Sequence, residues 1–212
     1  MRVAVSPQHR FLYNRLPKNA NSTITRSLVD GAAALSGTPA DGPAKRHFQR
    51  PSRMSGAEVA ALGDYFKFVF VRDPYSRTLS AYLDKIVNRR KQSRSVLKWA
   101  EKHGIDAPSF ADFCAYLDDG GLYDDNHWAP QTAGLVLPLA AFDFIGRFET
   151  LDRDLKTVHD QLFPRGLATT PRDGPAATGS DTLIDTHYTP VAKTLIRRLF
   201  NADFEALGYP DG

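Results

Sequence analysis

The chain has 212 residues, 42% hydrophobic and 24% charged, an ordinary globular composition and enough for one α/β domain (residues 1–212) with a small lid. No apolar run approaches the roughly 18 residues that cross a bilayer, Met1–Arg10 lacks the apolar stretch of a signal peptide, and a single cysteine, Cys114, excludes an intrachain disulfide framework or a cysteine zinc site. The formal net charge of +3 weakly favours an anionic ligand, and the features together predict a soluble, cytoplasmic protein.

In chain order, Phe11–Leu16 reads as a short strand. The polar loop Pro17-Lys18-Asn19-Ala20-Asn21-Ser22 follows, and Ser22 or Thr23 is expected to cap a helix carrying Ile24, Leu28 and Val29. A loop entering a helix N-terminus presents backbone N–H groups to an anion, and Lys18 adds a mobile point charge. The pattern GxxxxGK[ST] is absent: the loop has no glycine, and Lys18 precedes Ser22 by four residues. An ordinary turn with a solvated lysine fits the same residues. Gly31–Ser55 is rich in Gly, Ala, Pro and basic residues and reads as a loop, with His47 in it. Ser55 and Glu58 have capping-box spacing for a short helix.

Tyr65–Val71 is an aromatic and β-branched run, apolar enough to be buried on both faces of a sheet. It stops at Arg72-Asp73-Pro74, and Leu79, Tyr82, Leu83, Ile86 and Val87 then mark one face of a helix. Ligands of open α/β sheets bind at the carboxyl ends of strands, where Arg72 stands. Arg72 and Ser80, two helical turns on, are placed to hold a phosphate. A surface Arg72–Asp73 pair with Ser80 facing solvent is the bland alternative. Arg89, Arg90, Lys91, Arg94 and Lys98 form either a groove for an acidic acceptor or the solvated end of a helix.

Ser109 and Asp112 give a second capping-box signal, before a helix with Phe113, Tyr116 and Leu117 that ends at Gly120-Gly121. Cys114 in that helix reads as a small core residue. Asp124-Asp125-Asn126-His127-Trp128-Ala129-Pro130-Gln131 is a polar loop in which carboxylates flank His127, making it a general-base candidate. Phe142–Phe148 is a further strand, leading through Glu149-Thr150 into a helix with Leu151, Leu155, Val158 and Leu162. Phe163–Asp181 is loop-like in composition. Thr189-Pro190 starts the last helical stretch, whose apolar face is Leu195, Ile196, Leu199, Phe200 and Phe204.

Three segments, in this order, resemble the carbohydrate sulfotransferases, with the chondroitin 4-O-sulfotransferase-like branch of sulfotransferase family 2 the nearest in pattern. Pro17–Ser22 resembles the family's first phosphosulfate-binding loop, Phe68–Lys85 (with VRDPYSRTLSAYLDK) its second, and His127–Gln131 a third motif; Phe142–Leu151 and Asp203–Pro210 add to the likeness. The resemblance implies a P-loop-like three-layer α/β sandwich with a central, mainly parallel sheet flanked by helices. It implies 3′-phosphoadenosine 5′-phosphosulfate (PAPS) as donor and 3′-phosphoadenosine 5′-phosphate (PAP) as product, with no metal. Lys18, Asn19, Ala20, Asn21, Ser22 and Thr23 are then expected at the 5′-phosphosulfate, and Arg72 and Ser80 at the 3′-phosphate. His127 is the expected base, oriented by Asp124 or Asp125. His47 is the runner-up, since related hexuronic-acid sulfotransferases place a histidine between the first loop and the central strand. The implied acceptor is a hydroxylated glycan, anionic or neutral, or a small hydroxylated molecule, not nucleic acid. The sequence departs from Golgi members in lacking their membrane anchor, stem and cysteines, and so resembles a soluble bacterial member. Two other classes stay open: a nucleotide-dependent kinase using Asp73 for magnesium, and a non-catalytic polyanion-binding module using Arg89 to Lys98.

Overall fold

The computed structural model describes residues 3–38, 42–49, 57–58, 61–163, 179–180 and 182–210. Ser55 of the first capping-box signal and most of Phe163–Asp181 lie outside them. The chain divides into two compact units, Met1–Val71 with Leu135–Pro175, and Arg72–Gly134 with Ala176–Gly212.

The first unit holds a four-stranded sheet in the order β1 (Val3–Ser6), β2 (Phe11–Asn14), β3 (Phe66–Val71), β4 (Phe144–Arg147). β1 runs antiparallel to β2, with Ser6 opposite Phe11. The other pairs are parallel: Asn14 lies opposite Val69, and Val71 opposite Arg147. The expected α/β class with a mainly parallel sheet is therefore present. Parallel strands need crossovers, and the connection from β2 to β3 supplies one through α1 (Asn21–Ser36). Helix α1 sets Ile24, Leu28 and Val29 against Phe11, Tyr13, Phe68 and Phe70 of the sheet, together with Leu151, Leu155 and Val158. Those three belong to α5 (Leu151–Leu162). Tyr13 stacks on Phe68 with ring centroids 5.0 Å apart. The opposite sheet face puts Val3, Val5 and Leu12 against Leu62, Tyr65 and Val136. Burial of each large side chain contributes about 1.5–3 kcal/mol, so these clusters hold the strand ends in place.

The second unit is helical: α2 (Pro74–Ala81), α3 (Arg94–Lys102), α4 (Phe110–Asp118), α6 (Ile184–His187), α7 (Pro190–Leu199) and α8 (Asn201–Leu207). Helix α2 is buried on all sides and widens after Ala81 into a π-helical turn, Tyr82–Val87. Its core joins Leu79, Phe113, Trp128, Ile196 and Phe204. Cys114 lies in that core, where burial pushes its thiol up to about 12. Both later caps are as expected: Ser109 and Asp112 form a capping box, and the Thr189 side chain accepts from the N–H of Ala192.

Two expectations are corrected. Residues 31–36 continue α1 rather than opening a loop, because alanine carries the helix past Gly31 to the left-handed C-cap at Gly37. The helix begins at Asn21 with Ala20 as N-cap, and no side chain caps it. Ser22 and Thr23 thus fall inside the first turn rather than before it.

Candidate functional site

The loop from β2 to α1 folds without glycine. Lys18 (φ 69°) and Ala20 (φ 55°) are both left-handed. Such residues cost about 1–2 kcal/mol each and persist only where their surroundings impose the conformation. Asn19, between them, is fully buried and supplies one constraint: its Nδ2 donates to the carbonyl of Phe70 in β3 at 2.8 Å. Arg15 adds another, donating from Nε to Asn21 Oδ1 at 3.0 Å. Left-handed residues in a tight turn aim successive N–H groups into a concavity that suits an anion. The first turn of α1 contains no acidic residue to neutralise the positive end of its dipole. Asn14 is also fixed, accepting the N–H of Val136 at 2.8 Å. Lys18, Asn19 and Ala20 thus form a loop that runs into the first turn of α1 at Asn21 to Thr23, and Asn19 ties that loop to β3.

Arg72 follows the last ladder residue of β3. It is buried, at 3% exposure, which overturns the surface-pair alternative. Its Nη2 donates to Ser180 Oγ at 2.8 Å. Asp73 accepts the N–H of Ser76 at 2.7 Å and so serves as the N-cap of α2. Ser80 is buried in α2, eight residues after Arg72, and does not face solvent.

The third motif is pinned from several sides within the second unit. Trp128 is buried and donates from Nε1 to the carbonyl of Gly121 at 2.9 Å. Arg77, also buried, donates to the carbonyls of Ala129 at 2.9 Å and Asn126 at 3.3 Å. Burial pulls the Arg77 guanidinium down to about 10, with Asp203 pulling it back up and Arg72 adding to the fall. His127 presents Nδ1 to Asp125 Oδ1 at 2.5 Å, and the same oxygen accepts its backbone N–H at 2.9 Å. That carboxylate favours a proton on Nδ1 and leaves the lone pair on Nε2. Of the two flanking carboxylates, Asp125 meets the His127 ring, and Asp124 accepts from the Tyr116 hydroxyl. His47 is exposed, closing the 3-10 turn Ala44–Arg46 with its N–H on the carbonyl of Ala44.

Sequence reasoning assigned no role to Gln131, Asp203, Arg77 or Ser180. Gln131 and Asp203 stood inside recognised motifs, but nothing local says what they touch. Arg89, Arg90, Lys91, Arg94 and Lys98 are all exposed. Among the described residues no group of three or more His, Cys, Asp or Glu side chains could hold a metal ion, and no helix is long and apolar enough to cross a membrane.

Residues 1–210 match the sulfotransferase family. Carbohydrate sulfotransferase 10 of Danio rerio is 27% identical over 243 residues, covering 99% of this chain and 66% of its own length. The Homo sapiens counterpart is 27% identical over 237 residues, 98% of this chain and 67% of its own. Carbohydrate sulfotransferase 14 of Danio rerio is 31% identical over 177 residues, 76% of this chain and 48% of its own. The chain thus spans about two thirds of the first relatives and about half of the last. No solved structure matches.

Proposed function

The chain belongs to the sulfotransferase family, and from that premise we propose that it moves a sulfuryl group from PAPS to a hydroxyl of a carbohydrate acceptor. The observation that carries this reading furthest is the bond from Asn19 to Phe70. It fixes on β3 the left-handed Lys18 loop, whose N–H groups suit an anion.

The donor supplies an activated sulfuryl group; the rest is positioning and charge stabilisation, as in phosphoryl transfer. Arg72 and Ser80 hold the 3′-phosphate, the guanidinium through its planar fork. Lys18 and the N–H groups of Asn19, Ala20, Asn21, Ser22 and Thr23 hold the 5′ end. As the acceptor oxygen–sulfur bond forms and the bond from sulfur to the 5′-phosphate breaks, the electron pair stays on that phosphate. Lys18 and the loop N–H groups stabilise this charge, a role worth about 10²–10³ in rate per preorganised donor. The acceptor's proton passes to Nε2 of His127, and Asp125 steadies the imidazolium that results.

Asp73, the magnesium candidate of the kinase alternative, commits one carboxylate oxygen to the N-cap of α2. The exposed basic side chains of Arg89, Arg90, Lys91, Arg94 and Lys98 favour an anionic partner, either the acidic part of an acceptor or, in a non-catalytic reading, a polyanion by itself. Calorimetry of PAP against ATP, ADP and AMP separates these readings. PAP is expected to bind selectively, Arg72→Ala to abolish that binding, and Lys18→Ala to lower turnover far more than PAP affinity. An Arg72→Ala protein that binds PAP as tightly as the parent overturns the assignment. Magnesium-dependent ATP binding puts a kinase in its place, and heparin binding with a steep salt slope and no PAP binding leaves only the polyanion module.

A further inference from the structure

β3 pairs with β4 as far as Val71, and Arg72 follows it. The carboxamide of Gln131 bonds both peptide groups of Arg72. Its Oε1 accepts the Arg72 N–H at 2.9 Å, and its Nε2 donates to the Arg72 carbonyl at 2.8 Å. Gln131 thus stands in for a neighbouring strand at one residue. It is itself held from behind. Its N–H donates to Asp203 Oδ2 at 2.7 Å, while the N–H and hydroxyl of Thr132 donate to Asp203 Oδ1 at 2.9 and 2.7 Å. Gln131 and Asp203 are both fully buried.

A buried carboxylate is a costly way to fill a core. Well-packed apolar groups are often equal or better for stability, whereas hydrogen-bonded polar groups hold one geometry. Asp203, Gln131 and Arg72 form such a chain, and it ends at the residue read above as the ligand of the 3′-phosphate. We infer that Gln131 and Asp203 are positioning residues that set Arg72 for that phosphate. The same clamp reaches the base: Gln131 lies four residues after His127, on the loop whose Ala129 and Asn126 carbonyls Arg77 holds. Asp203 is thus the common anchor of donor ligand and base loop.

The inference rests on the donor reading, and its test keeps the two apart. Gln131→Met keeps the volume and removes both contacts to Arg72. Asp203→Asn keeps the shape and turns an amide N–H₂ toward a donor that needs an acceptor. PAP and AMP, which lacks the 3′-phosphate, are titrated into the parent, both variants and Arg72→Ala. Each variant is expected to bind PAP about ten-fold more weakly, the scale of one hydrogen bond to a charged group, with AMP affinity unchanged. A merely structural role lowers both affinities together or neither. If Gln131→Met does not fold, Asp203→Asn alone decides. A parent without selectivity for PAP over AMP overturns the donor reading. A parent that selects PAP, an Arg72→Ala protein that does not, and folded Gln131→Met or Asp203→Asn proteins with the parent's selectivity overturn this inference alone.

Discussion

At the scale of single residues, partnership separates the two histidine candidates. His127 has a carboxylate 2.5 Å from Nδ1, and His47 is an exposed residue ending a 3-10 turn. His127→Ala is expected to lower kcat by about 10²–10⁴ in a radiolabelled-sulfate transfer assay, with His47→Ala near the parent rate. The opposite ranking would move the base to His47. A third histidine matters for stability. His159 is buried in α5, with Nε2 2.6 Å from Ser27 Oγ. Burial lowers its pKa below the ordinary 6.5, against the attraction of Asp160 and Asp30 and the contact with Ser27. A base depressed in the folded state contributes stability that is complete above its unfolded pKa and lost as pH falls through the folded one. Urea midpoints at pH 7.5 and 5.5 are expected to fall more for the parent than for His159→Gln; equal falls would refute the assignment. Lys18, Arg72 and His127 are proposed from the sequence because each stands beside a strand end or a turn signal, and Ser80 because it falls two helical turns after Arg72. Gln131 and Asp203 are not, because a glutamine's use depends on what it meets.

At the scale of elements, β3 and the Ser109 and Thr189 caps follow from local composition, as does the break at Pro74. The misses have physical causes. β1 has no alternation to detect because both its faces are covered: Ala4 packs in one cluster, Val3 and Val5 in the other. The π-helical turn Tyr82–Val87 widens the helix by less than a periodicity of three and four can register. Gly31 read as a loop start, yet it is buried in α1 where a Cβ would lie 2.5 Å from the ring of Phe163. Exposed helix glycines gain about 0.5–1 kcal/mol on replacement by alanine. Here the clash outweighs that gain, and Gly31→Ala is expected to lose about 1–3 kcal/mol in a denaturant titration. A gain instead would show that Phe163 yields freely.

At the scale of the whole molecule, the donor reading makes a prediction that needs no assay for transfer. A ligand that binds only the folded chain stabilises it by mass action, about 2.7 kcal/mol at one hundred times its Kd. For a chain of this size that raises Tm by about 5–10 °C. PAP is expected to do so and AMP to do much less; equal shifts would remove the 3′-phosphate from the reading. The alternation of strand, loop and helix and the motif residues are properties of short stretches, so the sequence alone determined them; the mainly parallel sheet was implied only by the family resemblance those motifs carry. Tertiary structure decided the rest. It showed a left-handed Lys18 loop built without glycine, held by an asparagine that reaches a carbonyl 51 residues away. It showed Gln131 meeting Arg72 across 59 residues and Asp203 across 72. Local propensity acts over a few residues, whereas a buried polar group must find whatever partner the packed chain brings beside it.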